Sequence, residues 1–353
     1  MGTRGYHSYR GRNGGGGKTV WVIVLVLVLL AAVAFLLAQQ YVVFDEDGKA
    51  RLTLFSTQKE TPKNPIDPED VVIEREDPED NPQKPDQPED PREPEKPVRL
   101  KLDELHAREI EYGSLWWSLE NTLRPDDEAI VIEVKRAGGG ITYGTEVKTP
   151  SGATVERGVT RDNLIALLKS GHYTVARVCC FADPAFARAH SDAALTQSNG
   201  KLWYDAGDRV WLDPGNADAQ AYLTALCREL ADLGFNEILL DEFCYPATGD
   251  LAAIDLPEEL DKTATLTAFA AELRKVLPED VALSVVLRGN MGEPGGESGL
   301  TAELLGSFDR IYADSDKTIS ALRTVLPSDF DTEGGLAVLT SKKPKTGGYV
   351  VLP

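Results

Sequence analysis

Asn236 to Pro246 reads NEILLDEFCYP: a run with the composition of a buried strand leads straight into two adjacent carboxylates, Asp241 and Glu242. An ionised carboxylate is costly beside a hydrophobic core unless it is paired or used. Two carboxyl groups flanking a bond are the machinery for cleaving glycosidic linkages. They stand about 5 Å apart when configuration is retained and about 6.5 to 9.5 Å apart when it is inverted. In that chemistry Asp241 is the candidate nucleophile or base. Glu242 is the first choice for the acid, with Asp314 and Glu133 in reserve. Adjacent residues diverge, so Glu242 serves only if its loop turns it back over the site.

These residues need a scaffold, and residues 98–353 have the length and rhythm of a (β/α)8 TIM barrel. Strand-like and helix-like runs alternate, which predicts a parallel sheet. The candidate strands are VRLKL, AIVIEV, YTVARVCC, NEILLD, VALSVV, DRIYA, GLAVL and GYVVL. The link between the last two is too short for a helix, so irregular closure is expected there. Before the fourth strand, Tyr222, Leu223, Leu226, Leu230 and Leu233 recur at helical spacing, between a capping Asn216 and a terminating Gly234. Cys227 lies beside that stripe as a buried side chain.

Barrel enzymes carry their chemistry at the C-terminal ends of the strands, and side-chain direction alternates along each strand. With Ile130, Ile132 and Val134 facing the helices, Glu133 and Lys135 point inward. The same alternation directs Arg177, Asp241, Tyr312 and Asp314 to the axis. Charges of both signs therefore meet on one inner surface, where Arg177 and Lys135 would keep Asp241 ionised. Trp203 and Trp211, between the third and fourth strands, and Tyr245 after the fourth add aromatic faces of the kind that stack on sugar rings.

Three segments, VARVCCFADPAFARAHSDAAL, LWYDAGDRVWLDPGNADAQAYL and ELADLGFNEILLDEFCYP, resemble the bacterial putative glycoside hydrolase family of exported TIM-barrel proteins. The matching positions are Ala176, Arg177, Phe181, Asp183, Pro184, Trp211, Leu212, Asp213, Pro214, Gly234, Phe235, Glu237, Ile238, Asp241 and Pro246. IEVKRAGGGITY resembles its second-strand segment, with Lys135 matching. The resemblance implies a glycan-active barrel, with Asp213, Lys135 and Arg177 among the substrate-binding candidates. Glu242 and Cys244 replace a family tyrosine and arginine, and YADSDK replaces a Tyr-Pro-Ser-His segment. These departures keep a non-catalytic glycan-binding barrel open as the alternative, and a structural envelope protein as a third.

The rest of the chain places that barrel. Thr19 to Ala38 is uninterrupted apolar sequence of membrane-spanning length. Arg4, Arg10, Arg12 and Lys18 precede it and Asp45, Glu46 and Asp47 follow, so residues 1–18 are expected in the cytoplasm and the barrel outside. The glycine-rich GRNGGGGKTV is no phosphate loop, because Arg12 stands where the first glycine is needed and an apolar membrane span follows. Residues 41–56 read as a short β-hairpin around Asp47-Gly48. Residues 57–97, rich in proline and acid, read as a disordered stalk reaching on the order of 100 Å.

With 37 basic and 57 acidic residues, the net charge of −20 argues against a nucleic-acid partner. The expected partners are a polysaccharide or cell-wall glycan and, through the N-terminal helix, a membrane. Four cysteines without CxxC spacing and only four histidines give no zinc pattern. No cofactor is indicated.

Overall fold

A computed structural model describes residues 42–44, 50–52, 99–110, 123–150, 153–288 and 297–353. The chain divides into two units, Met1–Pro88 and Glu89–Pro353. In the first, Val42–Phe44 pairs antiparallel with Ala50–Leu52. The membrane-span candidate at 19–38 and the whole of the proline-rich linker at 57–97 lie outside the described residues. Among the described residues, no helix is long and apolar enough to cross a membrane.

In the second unit eight strands form a closed parallel sheet. They are β1 (His106–Ile110), β2 (Ala129–Lys135), β3 (Tyr173–Cys179), β4 (Glu237–Asp241), β5 (Ala282–Leu287), β6 (Arg310–Ala313), β7 (Leu336–Thr340) and β8 (Gly348–Val351). Each pairs with the next, and β8 returns to β1 with Val350 opposite Ala107. The chain is a (β/α)8-type barrel, closed at the two strands where the sequence suggested irregularity. Helices on the outside include α1 (Arg161–Leu168), α2 (Pro184–Ala189), α3 (Ala217–Leu233), α4 (Lys262–Val276), α5 (Ala302–Leu305) and α6 (Asp316–Val325). Asn216 caps α3 by accepting from the Asp218 and Ala219 amides, and Gly234 ends it in the left-handed conformation that glycine adopts without strain.

Alternation sorts the strand side chains as expected. Ile130, Ile132, Ala176, Val178, Ile238 and Leu240 pack outward under the helices. Ala107, Val131, Val175, Leu239, Val286 and Val350 fill the interior. Seven of the eight strands lie where the sequence placed them. The first does not: residues 99–102 of VRLKL are irregular, and the strand is HAREI. The earlier stretch closes the barrel floor instead. The Leu100 amide donates to Asp309 Oδ1 at 2.8 Å, and Arg310 Nη2 donates to the Asp103 carbonyl at 2.9 Å.

The floor is a polar cluster at the N-terminal ends of the strands. Glu237, fully buried, pairs with Arg310 and accepts from Tyr312 at 2.7 Å and Tyr173 at 2.9 Å. The Tyr312 ring, expected at the mouth, thus points down to Glu237 and offers no surface to a ligand. Removing one member of a buried pair leaves the other charge uncompensated. Arg310→Leu is therefore expected to lower the unfolding free energy by about 3–5 kcal/mol in denaturant titrations, and the double variant with Glu237→Leu to recover part of that loss.

Candidate functional site

Four consecutive strands, and the residue just past a fifth, bring charged side chains to the opposite end of the barrel. β1 supplies Glu109, β2 Glu133, β3 Arg177, β4 Asp241, and the residue after β5 is Arg288. Arg177 Nε and Nη2 donate to Asp241 Oδ2 at 2.9 and 2.7 Å, and its Nη1 donates to Glu109 Oε2 at 2.7 Å. Arg288 clasps the other side of Asp241, with Nε 2.8 Å from Oδ1 and Nη2 2.5 Å from Oδ2. The Glu242 amide adds a hydrogen bond to Oδ1 at 2.9 Å. Asp241 is 4 % exposed, whereas the Arg288 side chain is 45 % exposed and forms the outer wall.

Burial pushes the Asp241 pKa up, but the hydrogen bonds and charges of Arg288 and Arg177 outweigh it, so the carboxyl is held below its usual 3.8. Glu109 goes the other way. Burial dominates there, Arg177 offsets only part of it, and the negative charges of Glu133 and Asp241 add to the rise.

Glu242 has φ +49°, a left-handed backbone at a non-glycine residue. Such conformations persist only where the surroundings impose them, and they cluster at functional sites. The turn does bring Glu242 over the mouth: its Oε1 lies 2.7 Å from Arg209 Nη1 and 3.8 Å from Arg288 Nε. Arg209 is itself fixed by Asp205, 2.8 Å from its Nε, and lies over the Trp211 ring at 5.3 Å.

Several candidates sit elsewhere. The register of β2 against β3 shifts between Glu133 and Lys135, so Lys135 lies opposite outward-facing Val178. Its ammonium is buried beneath the helical layer, 2.9 Å from Asp183 Oδ2 and 2.6 Å from the Cys179 carbonyl. Asp183 outweighs the burial and holds the Lys135 pKa above its ordinary value. Lys135 therefore belongs to the packing that joins β2 to α2, and Arg288 supplies the second positive charge on Asp241. Gly139 makes this approach possible, because a Cβ there would stand 2.0 Å from Asp183 Oδ1.

Trp203, Trp211 and Tyr245 are 1, 2 and 0 % exposed, so they pack the loops and present no face to a sugar ring. Trp203 Nε1 donates to the Asp250 carbonyl and Trp211 Nε1 to Asp205. Asp213 accepts from the Gly215 amide in the turn before α3. Asp314 is exposed and accepts from Thr318 Oγ1 at 3.2 Å. Glu133 is half-buried, 3.1 Å from Arg136 Nε. Cys179, Cys180, Cys227 and Cys244 are free thiols. Among the described residues, no group of three or more His, Cys, Asp or Glu side chains is placed to hold a metal ion.

Two site residues escaped the sequence. Arg288 follows β5 in the inward series Ala282, Ser284, Val286, so extending the alternation by one residue finds it. Glu109 lies outside VRLKL, the stretch that carries the strand-like signal.

The family profile described as a putative glycosyl hydrolase domain matches residues 118–304, about half of the chain and spanning β2 to β5. The chain belongs to this family. Comparison with curated protein sequences finds no match. Among solved structures, a hypothetical protein from Ruminiclostridium thermocellum is 24 % identical, covering 51 % of this chain and 95 % of that one with a TM-score of 0.43. The glycoside hydrolase domain of PelA from Pseudomonas aeruginosa is 14 % identical over 68 % of this chain and 84 % of its own, with a TM-score of 0.40. Aspergillus fumigatus Ega3, in complex with galactosamine, is 12 % identical over 70 % and 81 %, also with a TM-score of 0.40.

In this glycosyl hydrolase family member the two arginines on Asp241 carry unequal loads. Replacing buried Arg177 with Leu strips Glu109 of its arginine, leaves Asp241 to Arg288 and should cost about 3–5 kcal/mol of stability. Replacing half-exposed Arg288 with Ala leaves Asp241 paired to Arg177 and should cost about 1 kcal/mol or less. Chemical denaturation of the two variants at neutral pH checks the ranking.

Proposed function

We propose that this protein is a glycoside hydrolase of the cell envelope, acting outside the cell on a cell-wall or exopolysaccharide glycan. The observation that carries the reading is Asp241: a carboxylate on the barrel axis at the C-terminal end of β4, held ionised between Arg177 and Arg288. A fixed negative charge there is suited to stabilise positive charge developing at a sugar's anomeric carbon. The strained Glu242 beside it, engaged by Arg209, supports a site built at that mouth. Family membership supplies the reaction class.

A second reading has its own observation. The two oxygens of Asp241 receive five donors, from Arg177, Arg288 and the Glu242 amide, whereas a carboxylate offers about four lone-pair directions. Nucleophilic attack by so saturated a group requires Arg288 to swing away. A barrel that binds glycans without cleaving them needs no such movement.

Release of reducing ends from panels of cell-wall and exopolysaccharide glycans by the full-length protein separates the two. Hydrolysis predicts release by the wild type and a drop of about 100-fold or more in Asp241→Asn, with the melting transition retained. Binding without release, unchanged in Asp241→Asn, favours the non-catalytic barrel.

The anchor belongs to the same proposal. Residues 19–38 would span the cytoplasmic membrane with the N-terminus inside, and the proline-rich segment would hold the barrel away from the bilayer. Protease added to intact spheroplasts should remove a C-terminal epitope and spare an N-terminal one; the opposite pattern overturns the orientation.

A further inference from the structure

We propose that Glu109 is the proton donor of this site, facing Asp241 across the guanidinium of Arg177. The proposal rests on the hydrolase reading and gives that reading its second carboxyl group.

The geometry singles out Glu109 among the acids at the mouth. Glu109 follows Ala107 in the inward series of β1, so its carboxyl stands on the axis at the same end as Asp241. Arg177 holds both at once: Nη1 reaches Glu109 at 2.7 Å, while Nε and Nη2 reach Asp241 at 2.9 and 2.7 Å. Hydrogen bonds to one planar, rigid guanidinium fix how the two carboxyl groups stand relative to each other. Their surroundings differ. Asp241 has two arginines, whereas Glu109 has only a share of one and is flanked by the carboxylates of Glu133 from β2 and Asp241 from β4. When like charges crowd one place, one of them keeps a proton. Environments that drive two carboxyl groups apart assign the acid and the base.

The remaining acids have other partners. Glu242 is engaged by Arg209 and Arg288, Glu133 by Arg136, and Asp314 lies exposed.

The step balances on these two groups and water. The C1–O bond of the glycoside breaks, its electron pair goes to the leaving oxygen, and that oxygen takes the Glu109 proton and departs as an alcohol. Asp241 stabilises the positive charge at C1. Water then supplies hydroxide to C1, and its remaining proton restores the carboxyl pair to its starting state.

The test is a leaving-group comparison in Glu109→Gln. One substrate is a polysaccharide that the wild type cleaves, and the other is the dinitrophenyl glycoside of the sugar released, whose leaving group needs no proton. A proton donor predicts a loss of about 100- to 10,000-fold on the polysaccharide and little change on the aryl glycoside. The ratio within one sample is independent of how much of the variant folds. Equal losses on both substrates, or no loss on either, overturn the assignment to Glu109 while leaving hydrolysis intact. A wild type that cleaves nothing overturns the hydrolase reading itself.

Stability gives a readout apart from activity. The folded protein holds the Glu109 proton to a higher pH than the unfolded chain, whose ordinary value is 4.5. Glu109 therefore lowers stability as pH rises from that value through its folded pKa. The wild type should lose stability over that window relative to Glu109→Gln. A difference that stays flat there overturns the proton-holding role.

Discussion

The site depends on one buried guanidinium. Arg177 lies inside the barrel, where taking a charge out of water costs several kcal/mol unless partners replace the solvent. Asp241 and Glu109 are those partners, Asp241 accepting two of its hydrogen bonds and Glu109 one. Arg288 adds a second positive charge to Asp241 from the rim. Each of these four groups comes from a different stretch of the barrel wall. A closed, parallel sheet is what lets β1, β3, β4 and the end of β5 aim at one point.

The barrel holds a second such arrangement, and the contrast explains why only one is read as functional. At the floor, Glu237, Arg310, Tyr312 and Tyr173 also form a charged cluster, with two carbonyls from Asp103 and Gly334 completing the arginine. Glu237, Arg310 and Tyr312 are buried and Tyr173 is partly buried, and their mutual hydrogen bonds tie the strand ends together. Between the two layers lie the apolar side chains of the interior. At the mouth, Arg288 and Arg209 remain partly in solvent and can exchange partners at small cost. The same ion-pair physics is structural where water is excluded and available for chemistry where one partner can move.

Much of this was legible in the chain. Seven strands, their order, the capped helix α3 and the inward direction of Arg177 and Asp241 follow from periodicity alone, because a strand with one face under helices must alternate. The same rule, continued one residue, would have reached Arg288. It failed at Lys135 for a local reason: the register shift in β2 reverses the parity of whatever follows it, and no residue type announces the shift. It failed at β1 because HAREI mixes charge and apolar residues without a strand's usual signature. Its inward side chains are a small Ala107 and a Glu109 whose burial Arg177 offsets only in part. The aromatic residues misled in the opposite sense. Trp203, Trp211 and Tyr245 have the composition of a sugar platform, but their burial depends on how the loops fold over β3 and β4.

What the amino-acid sequence determined by itself was therefore seven of the eight strands, most of the faces they bury and the type of chemistry that Asp241 and Glu242 suggest. Those depend on local spacing and on the cost of burying apolar or charged groups, which are properties of short segments. Which carboxylate is kept ionised, which stands among like charges, and which lysine is diverted to Asp183 were decided only when strands far apart in sequence met around one axis. Electrostatic interaction depends on distance in space and on how much water remains. Neither quantity exists until the barrel closes.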